Sequence, residues 1–391
     1  MVDLVARPRY VDALQSTLDE RDLVRVVTGV RRCGKSTLLT LLERELPARS
    51  VLRIDLESAD WMHARDGAAF YDEVRNRAPG VRYVHVDEVQ YMSDWPRWVN
   101  AVRHSGEVAV TVTGSDASMF NHPLMHELYG RYVEVPVLPF SLGEFRQLRD
   151  HTGSTEESYA EWLAWGTLPQ AGRQPDVQSA QAYNQSMADQ ILLRDVVGLS
   201  GVRNIGGLRA LVEYLMANPG VMTNLKNISD AVDRLSYPTV TDYVQRLLDA
   251  HMLYRCGHYD LVSKALLDGP GKYYFVDPGL RSAMTGIKRK GAGRDLENMV
   301  FLELMRRYGS VATGTFPKGE IDFVVHHDGE LICVQVALTA LDERTLEREL
   351  SAFAAAPTGA RCVLLTMDRL PLDTGLIRHV HAADFLAGGR I

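Results

Sequence analysis

The sequence predicts an α/β protein that opens with a parallel sheet, and three observations predict it. The β-branched apolar run Leu23 to Val27 stops at Gly29 and is followed by a leucine-rich helical pattern, Leu38, Leu39, Leu41 and Leu42. Two further apolar runs end in polar groups: Val81 to Val86 before Asp87-Glu88, and Val108 to Val112 before Thr113-Gly114-Ser115. Strands that alternate with helical segments read as parallel strands joined by crossovers. In such a sheet, ligands gather at the carboxyl ends of the strands.

The first strand is followed by Gly29-Val30-Arg31-Arg32-Cys33-Gly34-Lys35-Ser36-Thr37, a G-x-x-x-x-G-K-[ST] loop between strand and helix. Gly29 and Gly34 let the backbone curl so that its N–H groups converge on phosphate oxygens, and the next helix adds the positive end of its dipole. Lys35 is placed to reach the β- and γ-phosphates of ATP, and the Ser36 hydroxyl to ligate Mg²⁺. Asp87 is the second expected metal ligand. Glu88 is the expected base that polarises water. Ser115, after the third of these runs, is a candidate sensor of the γ-phosphate. Arg131, before the strand Tyr132 to Val137, is a candidate arginine finger for its own nucleotide or a neighbouring subunit's. Val51 to Leu56 supplies one more strand of the sheet.

Composition sets the frame. At 391 residues the chain has length for two to four domains. A net charge of −7 gives no global support for nucleic-acid binding. The longest apolar runs are strand-sized and MVDLVARPRY lacks an apolar signal core, so neither a membrane span nor an export signal is expected. Cys33, Cys256, Cys333 and Cys362 are scattered without metal-ligand spacing, as in a reducing cytoplasm.

From Ser141 to about Val197 the pattern is helical, with breaks at Gly166 and Pro169, and reads as a helical lid or linker. Three helical stretches between Leu208 and Ala250, then strands at Leu253 to Tyr259 and Lys272 to Val276, predict a winged helix-turn-helix. Thr239, Thr241 and Gln245 then lie on the exposed face of its third helix, and Arg255, Lys264 and Lys272 on or near the wing, as candidate DNA contacts. The last hundred residues place Glu297 on a helix, Asp322 on a strand and Gln335 on the next strand. That order resembles a restriction-endonuclease-like PD-(D/E)XK domain, whose chemistry needs carboxylates for Mg²⁺ and a lysine for water. Ala337 stands at the lysine position, with Lys318 upstream, so a degenerate site kept for binding is expected. The domains expected are 1–140, 141–205, 206–288 and 289–391.

GVRRCGKSTLL, YVHVDEVQ, VTVTGS, GRYVEVPVLPFSLGEF and WLAWGTLPQ together resemble bacterial and archaeal AAA+-type ATPases with a C-terminal domain of unknown function numbered 4143. The resemblance implies a five-stranded P-loop core of the additional-strand, catalytic-glutamate class, with Ser115 as sensor and Arg131 as the family's arginine. The expectation that follows is an Mg²⁺-dependent ATPase that engages or remodels duplex or branched DNA. It works as a homo-oligomer, a hexameric ring if Arg131 acts in trans. An ATP-driven switch that binds a protein partner is the alternative, and an ATP-dependent nuclease a weaker one.

Overall fold

The computed structural model describes residues 4–121, 123–198, 202, 204–232, 235–286 and 291–391. The chain divides into two units, Met1–Pro139 with Asp249–His251, and Phe140–Leu248 with Met252–Ile391.

In the first unit, strands β1 (Val24–Thr28), β2 (Val51–Asp55), β3 (Tyr83–Asp87), β4 (Ala109–Gly114) and β5 (Tyr132–Pro136) form one sheet in the order β2-β3-β4-β1-β5. Every pairing is parallel. β4 is inserted between β1 and β3, so the loop after β1 faces the ends of two strands, with Thr28 opposite Gly114. The β-branched residues of β1, β3 and β4 are buried on both faces, as a covered parallel sheet requires. Helices α1 (Pro8–Gln15), α2 (Lys35–Arg44), α3 (Gly67–Arg75) and α4 (Trp95–His104) connect the strands or lead into them. Phe70 of α3 and Trp95 of α4 are buried in the core with Val84, Val86, Val110 and Val112.

The second unit begins with α5 (Leu142–Leu148), α6 (Thr155–Trp165), α7 (Pro169–Gly172) and α8 (Val177–Gln190). Ser141 with Glu144, and Ser154 with Glu157, form capping boxes that satisfy the first N–H groups of α5 and α6. The break at Gly166 is real: with φ of 87° it ends α6. Then come α9 (Ile205–Ala217), α10 (Leu225–Ala231) and α11 (Tyr237–Asp249), and a hairpin of β6 (Leu253–Asp260) and β7 (Ala265–Phe275). Next are α12 (Pro278–Thr285), α13 (Ala292–Tyr308), β8 (Ala312–Phe316), β9 (Gly319–His327), β10 (Glu330–Val336), α14 (Glu343–Ala352), β11 (Arg361–Thr366), β12 (Arg378–His381) and α15 (Ala382–Leu386).

The hairpin corrects the expected division at 288/289. It is not a free wing, because β6 pairs in parallel with β8 and completes a seven-stranded sheet, β12-β11-β10-β9-β8-β6-β7. The segments 206–288 and 289–391 therefore share one sheet, and 141–205 belongs to the same unit. The junction itself, 287–290, lies outside the described residues. No helix among the described residues is long and apolar enough to cross a membrane.

Candidate active site

The loop after β1 is shaped by its two glycines. Gly29 has φ of 143°, and a Cβ there would lie 2.2 Å from the Val137 carbonyl oxygen. Gly34 has φ of 104° and caps α2. Val30 and Cys33 are buried, so their side chains leave the loop's backbone to face a ligand, and burial raises the Cys33 thiol. Arg32 adopts φ of 68°, and Arg31 lies 3.8 Å from Glu57. Arg7 buttresses the loop, donating to the carbonyls of Cys33 at 3.1 Å and Leu138 at 2.8 Å. Only tertiary structure shows that role.

Lys35 is 3% exposed. Its Nζ donates to Gly29 O at 2.9 Å and lies 3.9 Å from Glu88 Oε1. Ser36 and Thr37 are exposed. At the end of β3, Asp87 Oδ1 accepts from Thr113 Oγ1 and Oδ2 from Arg53 Nη2, the latter at 3.0 Å. Glu88 has a left-handed backbone, φ 55°, and its N–H donates to Thr113 Oγ1 at 2.9 Å. Its Oε2 accepts from Ser115 Oγ at 3.1 Å and from Gln90 Nε2, which also donates to Ser115 Oγ. The structure thus brings Lys35, Asp87, Glu88 and Ser115 together at adjoining strand ends.

Arg131 is not among them. It is exposed, its carbonyl accepts from Val24 N, and it precedes Tyr132, which stands opposite Val24 at the start of β1. The five residues of β1 put about 16 Å between it and the loop. Contact with its own nucleotide is therefore corrected: Arg131 lies at the opposite end of the sheet.

The donor set fits a nucleotide phosphate with a divalent cation. A buried ammonium and a glycine-shaped loop at a helix N-terminus suit the anion, and an exposed hydroxyl and a carboxylate suit the metal. Sequence reasoning missed Arg7, Arg53, Gln90 and His251, and named Thr113 only within the polar strand end from which Ser115 was chosen. Buried His251, clustered with the first unit, is pushed down to about 3 by burial and then by the Lys35 charge.

A second polar cluster lies in the seven-stranded sheet. Lys272 is buried, with Nζ 2.9 Å from Glu320, 3.5 Å from Glu297 and 3.8 Å from Asp322. This corrects its placement as a wing residue open to DNA: β7 packs on α13, where the Tyr274 and Phe301 rings stack at 4.3 Å. Tyr274 donates to Glu297, Gln335 Oε1 accepts from Asp322 N, and Gln335 Nε2 donates to Glu349. Glu297, Asp322 and Gln335 thus lie in one cluster around Lys272 and Glu349. Among the described residues, however, no group of three or more His, Cys, Asp or Glu is arranged to hold a metal ion. Ala337 N donates to Leu365 O, and Lys318 is exposed on the β8–β9 turn. Of the other candidate DNA contacts, Thr241, Gln245, Arg255 and Lys264 are exposed and Thr239 is half-buried. Thr239 meets the Ser236 hydroxyl, Thr241 donates to Tyr237 O, and Arg255 to Gly269 O.

A family model described as an AAA domain matches residues 21–146. A second, Domain of unknown function (DUF8612), matches 156–291 and replaces the number 4143 that the resemblance gave. An uncharacterized protein of Haemophilus influenzae is 30% identical over 361 residues, 88% of this chain and 90% of its own. One of Methanocaldococcus jannaschii is 23% identical over 85% of this chain and 78% of its own. The solved structure of a Walker-type ATPase of Pyrococcus abyssi matches with a TM-score of 0.51 and 15% identity, over 72% of this chain and 96% of that one.

Proposed function

The chain belongs to one family with the uncharacterized Haemophilus influenzae protein and carries an AAA domain over residues 21–146, and on that premise we propose that it is an Mg²⁺-dependent ATP hydrolase whose nucleotide state switches what its second unit engages. The observation that carries this is the Glu88 carboxylate, held between Lys35 and Ser115 at the end of β3. In this reading the loop from Gly29 to Thr37 cradles the phosphates, and Lys35 offsets their charge. Ser36 and Asp87 hold the cation, which supplies charge neutralisation on the phosphate oxygens when bound. Glu88 accepts the proton of the attacking water, and Ser115 orients that water or the γ-phosphate. With Arg131 at the far end of the sheet, it can serve as an arginine finger only for a neighbouring copy, and in this reading the protein works as a homo-oligomer of ring type.

For the second unit we favour a protein partner. The hairpin end exposes Val262 (72%), Leu266 (70%) and Leu267 (45%), while Lys272 is turned inward. Engagement of duplex or branched DNA is the second reading, supported by the exposure of Arg255 and Lys264 on the hairpin and of Gln245 on α11. Three helices before a hairpin support a winged-helix reading of residues 205–275. The order helix, three antiparallel strands, helix, strand over 292–366 supports a nuclease-like fold kept for binding rather than cleavage. Four free thiols accord with work in the cytoplasm.

The test is steady-state ATP hydrolysis without DNA, with linear duplex and with a four-way junction, at low and moderate salt, with Glu88→Gln as control. Hydrolysis lost in Glu88→Gln and indifferent to every DNA supports the switch with a protein partner. Stimulation by one DNA moves the reading to a DNA-dependent motor. No hydrolysis by the wild-type chain overturns the proposal.

A further inference from the structure

β2 carries a charge among the apolar residues of its first four positions, Val51-Leu52-Arg53-Ile54. Arg53 is directly opposite His85 of β3. Its Nη2 donates to Asp87 Oδ2 and to the Ser36 carbonyl, both at 3.0 Å. Its Nη1 donates to Thr40 Oγ1 at 3.0 Å and to Glu43 Oε1 at 3.3 Å. Glu43 is held in turn by His85 Nδ1 at 2.9 Å. One guanidinium thus ties the first turns of α2 to the acidic end of β3, a reach in two directions that a lysine's point charge does not offer.

We propose that Arg53 is the resident counter-ion of Asp87 and makes retention of a divalent cation conditional on nucleotide. The inference rests on the ATP-hydrolase reading. The Asp87 side chain is 4% exposed, and a carboxylate so withdrawn from water needs a positive partner at all times. Without nucleotide that partner is Arg53, and a divalent cation approaching Asp87 meets the like charges of Arg53 and Lys35. Nucleotide phosphates bring the negative charge that reverses the balance, so metal and nucleotide are held together or not at all. Arg53 is a positioning residue here. It acts through Asp87 and Ser36 and touches no reacting atom.

The experiment is Mn²⁺ binding to the nucleotide-free full-length chain, read by electron paramagnetic resonance, with binding of a fluorescent ATP analogue measured on the same samples. Arg53→Met removes the charge and is expected to tighten Mn²⁺ by about tenfold, the scale of one screened like charge at contact distance. Adding Asp87→Asn to Arg53→Met is expected to abolish the gain, which assigns the new affinity to Asp87. Arg53→Gln, neutral and polar, reads the same effect if Arg53→Met does not fold. Arg53→Lys keeps the charge and is expected to stay near wild type. Unchanged or weaker Mn²⁺ binding in both neutral variants overturns the inference, even where the wild type binds nucleotide with Mg²⁺. A wild-type chain that binds no nucleotide overturns the ATPase reading instead.

Discussion

The Lys272 ammonium lies 2.9 Å from Glu320, although their strands, β7 and β9, are separated by β6 and β8. Glu297 and Asp322 stand on the same ammonium at 3.5 and 3.8 Å, so it joins the hairpin to α13 and to the centre of the sheet. A lysine 3% exposed, facing carboxylates that are 17% and 12% exposed, is a buried ion cluster whose loss leaves like charges together. Lys272→Met is expected to destabilise the protein by about 3 kcal/mol at pH 8, read from urea unfolding. The half-exposed Glu320 adds little to that figure. A loss under 0.5 kcal/mol leaves the cluster without a stabilising role.

The same cluster predicts a pH dependence. Burial first, then the Glu297 charge, push Asp322 up to about 7 from its ordinary 3.8, and Lys272 only partly offsets them. A carboxyl with a raised folded value binds more protons folded than unfolded between these limits. Its contribution is complete below about pH 4 and is lost as pH rises through 7. The stability of wild type relative to Asp322→Asn is therefore expected to fall by on the order of 2 kcal/mol from pH 5 to pH 8 in urea melts. A rise over that window refutes the assignment.

These contacts mark where sequence reading stops. The loop around Gly29 and Gly34, the acids after β3 and Ser115 after β4 were legible because each is a local pattern in a strand-to-helix or strand-to-loop setting. Lys272 was not, because β6 and β7 alternate like any hairpin whether their edge faces water or pairs with β8. Only the parallel pairing of Gly257 with Ala312, 55 residues away in sequence, turns the expected wing into part of a sheet. Arg53 gave a signal, a charge among apolar residues, but its partner depends on the register that places β2 beside β3. For Arg131 the sequence left two readings open, its own nucleotide or a neighbour's, for the reverse reason. Its motif specifies its neighbours in sequence and says nothing of which end of β5 faces the loop.

Glu88 accepts from Ser115 at 3.1 Å, and its backbone N–H is fixed by Thr113. The side chain is thus oriented before ligand arrives. Glu88→Gln keeps the size and removes the base, so the chemical step is expected to slow by about 10²- to 10⁴-fold with nucleotide affinity nearly unchanged. Single-turnover hydrolysis beside equilibrium binding of a fluorescent analogue separates the two. Ser115→Ala is expected to lower turnover less, since Gln90 still holds Glu88. Equal loss of binding and turnover in Glu88→Gln identifies a structural role instead.

Arg131 gives the prediction that reads assembly. Arg131 starts from the opposite end of the sheet, about 16 Å of strand backbone from its own loop, so any catalytic contribution is expected from a second chain. Turnover per chain is then expected to rise with protein concentration in the wild type and to stay low at every concentration in Arg131→Ala. Mixing supplies the decisive arm. Lys35→Ala lacks the phosphate lysine but offers an intact Arg131, and Arg131→Ala offers an intact loop. An equimolar mixture of two nearly inactive chains is expected to recover activity, because some interfaces join the good loop of one to the good arginine of the other. A mixture no more active than the sum of its parts assigns Arg131 to the surface of β5 and removes the main support for a ring.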